Sequence, residues 1–133
     1  MNDFNEQITY DTVAEMGYIF LSEPFKFEVT FTEELPENPD LNLDLGNEVP
    51  IVGIELGSKS AKKIQTLEDE DKKFITKTTE EGKVFFSFML ENKPIQRSVS
   101  YERIEDIKFL FADVTCLDFI GVEVYGNNTH YQG

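Results

Sequence analysis

Two six-residue segments of nearly the same pattern constrain the fold of this 133-residue chain more than any other feature. Residues 51–56 read Ile-Val-Gly-Ile-Glu-Leu and residues 119–124 read Phe-Ile-Gly-Val-Glu-Val, so the glycine and the glutamate occur in both. Short apolar runs rich in β-branched residues are typical of buried strands. The sequence therefore predicts that one β unit occurs twice in the chain.

Other segments support this repeat at similar offsets. Residues 82–87 resemble residues 17–22 at an offset of 65, and residues 109–111 take the place of residues 41–43 at an offset of 68. We therefore predict an internal repeat, with copies at 7–60 and 74–128. Each copy is too small to form a comfortable core alone, so both are expected to share one core in a single domain, 1–133.

The predicted fold class is mainly β, with α+β as the open alternative. It consists of two tandem β-meander-like units, each of about four or five strands. The segment 60–73 is predicted to be a short linking helix, because Ile64 and Leu67 lie three residues apart among charged residues. Ser58 or Ser60 is the expected N-cap.

Two alternating segments in the first half predict strands of different character. Residues 25–31 place Phe25, Phe27, Val29 and Phe31 on one face. Residues 41–45 alternate three leucines with Asn42 and Asp44, which predicts a half-buried strand with both polar side chains outward. The spacing of Asp40, Asn42 and Asp44 also resembles the start of a calcium loop, but Leu45 stands where that loop needs glycine, so we favour the strand.

The chain is strongly acidic, with 12 Lys+Arg against 26 Asp+Glu and a formal net charge of −14. A direct nucleic-acid binder or an anionic-membrane binder needs a basic face, so the charge argues against both. The charge is uneven along the sequence. Residues 1–60 carry a net −11 and residues 61–133 only −3, so the acidity belongs mainly to the first predicted copy.

Residues 28–48 contain seven acids and no base, and Pro36 and Pro39 predict a turn or extended loop there. These residues are the candidate partner-binding residues: Glu28, Glu33, Glu34, Glu37, Asp40, Asp44 and Glu48. One interpretation is a solvated loop that keeps the protein soluble. The other is a negative surface that docks on a basic partner, with Phe27, Val29, Phe31 and Leu35 as apolar anchors.

The first copy resembles a known family. Residues 10–22, which begin Tyr-Asp and end in an apolar strand with Leu-Ser, are similar to the opening of the bacterial DUF2283 family, and residues 51–56 are similar to its closing strand. The resemblance covers residues 7–60. It departs at Val49 and Pro50, where the family places an acidic turn with glycine. Because that family has no assigned function, the resemblance implies only a small bacterial or phage β-rich module, without catalytic residues.

The residues that most often carry chemistry are few. One cysteine, Cys116, excludes an intrachain disulfide and a multi-cysteine zinc site, and its strand-like surroundings predict a buried thiol. The single histidine, His130, lies near the end of the chain without an orienting partner. We therefore predict no catalytic residue, no metal site and no cofactor.

Glu55 and Glu123 occupy equivalent positions in the two copies. If the copies pack about a pseudo-twofold axis, these carboxylates can converge and share a proton or a cation; otherwise each is the outward residue of its strand. Gly53 and Gly121, within the same strands, predict a bulge or a close approach of another group rather than a phosphate site.

The sequence thus predicts a non-enzymatic binding or regulatory protein that acts through contact with a protein partner bearing a basic surface. The alternative is an acidic inhibitor, encoded by a phage, that mimics nucleic acid and blocks a basic groove of a host protein. No membrane partner is expected, and a homo-oligomer stays open. The first residues lack a signal-peptide pattern, and the single cysteine fits a reducing compartment, which together predict a cytoplasmic protein.

Overall fold

Two five-stranded antiparallel sheets make up nearly half of the residues that a computed structural model describes, 7–23 and 26–125. The first sheet contains β1 (Ile8–Asp11), β2 (Met16–Phe20), β3 (Phe31–Leu35), β4 (Asn38–Leu45) and β5 (Ile51–Leu56). The second contains β6 (Ile75–Thr78), β7 (Val84–Met89), β8 (Arg97–Tyr101), β9 (Ile104–Phe111) and β10 (Phe119–Val124). Helix α1 (Ser58–Gln65) lies between the two, so the predicted mainly β fold with a linking helix is confirmed.

Both sheets have the same strand order. The first runs β1-β2-β5-β4-β3 and the second β6-β7-β10-β9-β8. Each therefore combines a hairpin with a three-stranded meander, and a long connection carries the chain from the hairpin to the far edge of the sheet. The last strand of the meander returns beside the hairpin, which is a Greek-key arrangement.

The two sheets also agree in irregular details. Each has a bulge in its fifth strand, at Val52 in the first sheet and at Ile120 in the second. The bulged carbonyl accepts a hydrogen bond from Leu21 N (2.9 Å) in one case and from Leu90 N (2.7 Å) in the other. Bulges are specific features of a fold, so the two sheets are structurally equivalent. A common origin by duplication stays a prediction.

The strand register corrects the predicted alignment of the copies. Glu55 pairs with Tyr18 and Asn42, whereas Glu123 pairs with Ser87 and Lys108. Tyr18 is therefore equivalent to Ser87, an offset of 69 rather than 65, and Asn42 to Lys108, an offset of 66 rather than 68. The predicted offsets were wrong because apolar runs look alike in several registers, whereas cross-strand pairing selects one.

The inner faces of both sheets supply one continuous hydrophobic core, as predicted. Its members include Leu41, Leu43, Ile54 and Leu56 from the first sheet, Phe88, Phe109, Phe111 and Val122 from the second, and Ala61 and Ile64 from α1. Burial of these apolar side chains is the main stabilising contribution to the fold.

The crossover between β2 and β3 differs from the prediction. Residues 26–30 form no strand, so the strand predicted over 25–31 is wrong, and Phe25 lies outside the described residues. The strand begins at Phe31, whose side chain is 55 % exposed. The alternation of these residues reflects a connection along the surface rather than a buried strand.

The stretch 28–48 is also more ordered than predicted, because β3 and β4 form a hairpin there. Pro36 lies in the hairpin turn, and Pro39 lies next to a bulge in β4. Both positions tolerate a residue without an N–H group, so the prolines shape the hairpin and do not prevent it.

Helix α1 is shorter than the predicted 60–73. Its N-cap is Gly57, without a side-chain hydrogen bond, rather than Ser58 or Ser60. The chain leaves the helix at Thr66 and forms a 3-10 turn, Asp69–Asp71, before β6. Among the described residues, no helix is both long and apolar enough to span a membrane.

Polar contacts join the two halves beside the core. Lys63 Nζ on α1 contacts the carboxylates of Asp118 and Glu91 (2.9 Å to Glu91) and donates to the carbonyl of Phe119 (2.8 Å). Asn38 Nδ2 donates to the carbonyl of Cys116 (3.0 Å). These contacts fix α1 and the β3–β4 hairpin against the second half.

Candidate functional site

The outer face of the first sheet carries a set of polar side chains that strand alternation selects. Leu41 and Leu43 of β4 point into the core, so Asp40, Asn42 and Asp44 point away from it. In register with them lie Glu34 of β3, Glu55 of β5 and Tyr18 of β2. We call this set the acidic face: Tyr18, Glu34, Asp40, Asn42, Asp44 and Glu55.

Asp44 is the most buried carboxylate of the acidic face, with 7 % of its surface exposed. Its two oxygens accept hydrogen bonds from Tyr18 Oη (2.8 Å) and Thr32 Oγ1 (2.7 Å). Thr32 lies on the neighbouring strand β3, whereas Tyr18 lies on β2 and reaches across β5. Hydrogen bonds to a charged acceptor offset part of the cost of burying it. The predicted strand over 41–45 is confirmed, and Asp44 is an outward residue that neighbouring side chains cover.

Glu55 lies beside Asp44 and interacts with it. Burial raises the pKa of Glu55, and the charge of Asp44 and a hydrogen bond to it raise that pKa further. Two neighbouring carboxylates resist double ionisation and favour a shared proton. Burial also raises the pKa of Tyr18 far above its usual range, and the hydrogen bond to Asp44 adds to this effect. Tyr18 therefore remains a neutral donor.

Gly53 explains how Tyr18 reaches this position. A Cβ at residue 53 would overlap the ring and hydroxyl of Tyr18, so the ring lies directly over the glycine backbone. Gly121 is covered differently, because a Cβ there would lie 2.6 Å from the carbonyl oxygen of Phe88. Both glycines thus mark a close approach of another group, as the sequence predicts.

The structure separates the seven acids that the sequence grouped. Glu34, Asp40 and Asp44 belong to the acidic face. Glu33 points to the other side of β3 and accepts a hydrogen bond from Tyr101 Oη. The remaining three lie in the connections: Glu28 and Glu48 are exposed, and Glu37 is half-buried in the β3–β4 turn. The alternation of β3 sends neighbouring glutamates to opposite faces, so the seven acids do not form one surface.

Glu33 borders a separate shallow groove of about 290 Å³ at the edge of the two sheets. Phe31, Tyr101 and Ile104 also line it. The hydrogen bond to Glu33 is the largest cause of the raised pKa of Tyr101, and partial burial adds to it. Tyr101 and Glu33 thus form a contact between the two halves. This glutamate is therefore less available to a partner than Glu34.

Glu55 and Glu123 lie on the outer faces of different sheets, and each points away from the shared core. Tyr125 Oη donates to Glu123 (2.8 Å), whereas Glu55 interacts with Asp44. The carboxylate pair is therefore Asp44–Glu55 within one sheet. The patterns at 41–45 and 51–56 indicate that Asp44 and Glu55 each point outward. They do not indicate the register that places the two strands side by side.

The remaining candidates occupy positions without an evident reactive role. Cys116 is fully buried in the β9–β10 loop, with φ 62°, rather than in the predicted strand-like run. Burial raises the pKa of its thiol. His130 lies outside the described residues. Within 7–23 and 26–125, no group of three or more His, Cys, Asp or Glu side chains is placed to hold a metal ion.

Comparisons with known proteins found no matching family model, no matching curated protein and no matching solved structure. The resemblance to DUF2283 therefore stays a prediction.

Proposed function

We propose that this protein is a non-enzymatic binding module that docks through its acidic face on a protein partner with a basic surface. One observation carries the proposal. The acidic face holds Glu34, Asp40, Asp44 and Glu55, and none of the five strands of this sheet contains Lys or Arg. Charge complementarity steers association and selects partners of opposite sign.

The geometry of the acidic face favours a docking surface over a surface that is merely solvated. Its carboxylates lie on neighbouring strands of a rigid sheet, at spacings of about 4.8 Å from strand to strand. A preorganised surface loses little conformational entropy when it binds. Asn42 lies between Glu34 and Glu55 and supplies an amide, and Tyr18 lies on the other side of Glu55 and supplies a half-buried ring. Aromatic residues frequently contribute strongly to interfaces.

Charge reversal tests the proposal with a defined probe. We would measure binding of a fluorescent octa-arginine peptide to the wild type and to Glu34→Lys/Glu55→Lys, at about 50 mM and about 300 mM NaCl. The expected result is tight binding at low salt, which weakens at high salt and falls at least about tenfold in the variant.

The matched control is Glu80→Lys/Glu81→Lys. These residues are exposed in the β6–β7 turn, and their reversal changes the net charge by the same amount. The control should bind octa-arginine within about twofold of the wild type. This small difference reflects the loss of long-range attraction. Equal losses in both variants would show that net charge alone drives binding, and the acidic face would lose its assigned role.

A narrower version of the proposal is an inhibitor that mimics nucleic acid. The supporting observation is that the exposed charges of this face are hydrogen-bond acceptors, as phosphates are. The wild type and Glu34→Lys/Glu55→Lys can serve as baits for the natural partner. If the captured partner binds duplex DNA and the wild type displaces that DNA while Glu34→Lys/Glu55→Lys does not, the inhibitor version holds; a ternary complex would exclude it.

The proposal includes a cytoplasmic location. The one cysteine in the chain, Cys116, is free and buried, which fits a reducing compartment without requiring one.

A further inference from the structure

A groove beside β7 is separate from the acidic face and does not depend on the proposed function. It has a volume of about 340 Å³ and lies between the segment that follows α1 and the end of β7. Leu67, Ile75 and Met89 form its apolar walls. This volume lies at the lower end of the range for small-molecule sites, so the groove suits a ligand of a few heavy atoms.

Ser87 provides an unsatisfied polar group in this groove. Its side chain is 1 % exposed and lines the groove, and Oγ has no hydrogen-bond partner. Buried hydroxyl groups in folded proteins nearly always have a partner. A ligand that donates a hydrogen bond to Ser87 Oγ would satisfy it.

Comparison of the two sheets shows why Ser87 Oγ has no partner. Ser87 is equivalent to Tyr18, because Ser87 pairs with Glu123 as Tyr18 pairs with Glu55. In the first sheet the large Tyr18 side chain covers the neighbouring strand, and its hydroxyl finds Asp44. In the second sheet Leu110 takes the place of Asp44, so Ser87 lacks an equivalent acceptor.

The charges around the groove indicate the sign of the ligand. Glu70, Asp71 and Glu91 line it, against one base, Lys73. Glu91 already pairs with lysines of the contact between the halves, at 2.9 Å and 3.2 Å. Glu70 and Asp71 are exposed at the 3-10 turn, and their charge favours a cation.

We propose that this groove binds a primary alkylammonium group. The ammonium donates to Ser87 Oγ within the field of Glu70 and Asp71, and the aliphatic chain packs on Leu67 and Met89. Ammonium groups carry three donors and no acceptor, which matches a site that offers a hydroxyl acceptor and carboxylates. Such a group can belong to a free aliphatic amine or to a lysine side chain.

An NMR titration of the full chain tests this site. Backbone amide shifts would be followed during addition of n-butylamine at neutral pH, of n-butanol as its neutral analogue, and of acetyl-Gly-Lys-Gly-amide as the lysine source. We expect saturable shifts at Ser87, Met89 and Asn92 with n-butylamine, with the lysine peptide, or with both, and none with n-butanol. The arm that binds identifies the source.

Two surface variants make the result decisive. Glu70→Gln/Asp71→Asn should weaken the binding at least about threefold, whereas Glu80→Gln/Glu81→Gln, which removes the same charge from the exposed β6–β7 turn, should leave it unchanged. Equal weakening in both, non-saturable shifts spread over all acidic residues, or no shift at β7 with either amine would overturn the proposal. Because these side chains are exposed, neither variant is expected to unfold the protein.

Discussion

The outer faces of the two sheets differ although their backbones agree. The row Tyr18–Glu55–Asn42 in the first sheet corresponds to the row Ser87–Glu123–Lys108 in the second. A carboxylate lies next to an amide in one row and next to an ammonium in the other. The next row also differs, because the carboxylate of Asp44 in the first sheet corresponds to the apolar side chain of Leu110 in the second.

The inner faces, by contrast, are chemically alike. Leu43 and its equivalent Phe109 are both fully buried, as are Ile54 and its equivalent Val122. The common core restricts these positions to apolar side chains, since packing penalises changes of volume and polarity. The outer faces carry polar and apolar side chains of different exposure, with Asp44 in the first sheet where the second has Leu110, so the two sheets differ there although they share one core.

The largest expected effect concerns the two strand glycines. Gly53→Ala should lower the free energy of unfolding by about 2 kcal/mol, because the new methyl group collides with the Tyr18 ring. In a Tyr18→Ser background, which copies the second sheet, the same change should cost little. Urea unfolding of the four proteins measures this coupling.

Gly121 provides a comparison for the double-mutant cycle of Gly53 and Tyr18. A methyl group there meets the backbone oxygen of Phe88 as well as Met89 Sδ (2.7 Å), so Met89→Ala should not restore the stability of Gly121→Ala. If Gly53→Ala were equally costly with and without the Tyr18 ring, the assigned contact between Tyr18 and Gly53 would be wrong.

The contact between the halves should give a smaller effect. Lys63→Met removes an ammonium that is only 13 % exposed and contacts two carboxylates. Because both carboxylates remain partly exposed to solvent, we expect the free energy of unfolding to fall by about 1–2 kcal/mol, less than for a fully buried pair. Lys93→Met, at a 45 % exposed position on the same carboxylates, should cost clearly less, because an exposed ion pair contributes little to stability. Thermal unfolding of both variants checks the order, and a reversed order would contradict it.

The smallest expected effect is a change in stability at neutral pH, which should have opposite signs when Glu55 and Glu123 are each replaced by glutamine. The pKa of Glu55 is raised in the folded protein by burial and by Asp44, so the folded state binds more protons than the unfolded state above the ordinary glutamate pKa. Stability is then lost as the pH rises through the folded pKa. Glu55→Gln should therefore become more stable relative to the wild type as the pH rises above the ordinary glutamate pKa, by less than about 1 kcal/mol.

Glu123→Gln should instead destabilise slightly at neutral pH, because it weakens the hydrogen bond from Tyr125 (2.8 Å) and the cross-strand pairing with Lys108. Unfolding curves at several pH values test both variants. Stabilisation by both substitutions, or by neither, would mean that the two glutamates have the same environment.

Much of the fold was predictable from local pattern. The alternation at 41–45 and the apolar runs at 51–56 and 119–124 predicted β4, β5 and β10, since side-chain burial on one face or both leaves a direct trace in the sequence. The alternation at 25–31 predicts a strand where the structure has a surface crossover, because alternation alone does not distinguish a buried face from an exposed edge.

The candidate site was only partly predictable. The acidity of the first copy was visible, and Asp44 and Glu55 were each singled out for separate reasons. Their juxtaposition depends on the β4–β5 register, which arises from long-range pairing and the bulge at Val52 rather than from local sequence. Glu33 and Glu34, adjacent in sequence, lie on opposite faces because side chains alternate along β3.

The most direct test of the acidic face is to map octa-arginine binding by amide shifts at low salt. We predict the largest shifts at Tyr18, Asn42 and Glu55, and clearly smaller shifts at the equivalent residues Ser87, Lys108 and Glu123. Equal shifts in the two rows, or larger shifts in the second sheet, would contradict the assignment of docking to the acidic face.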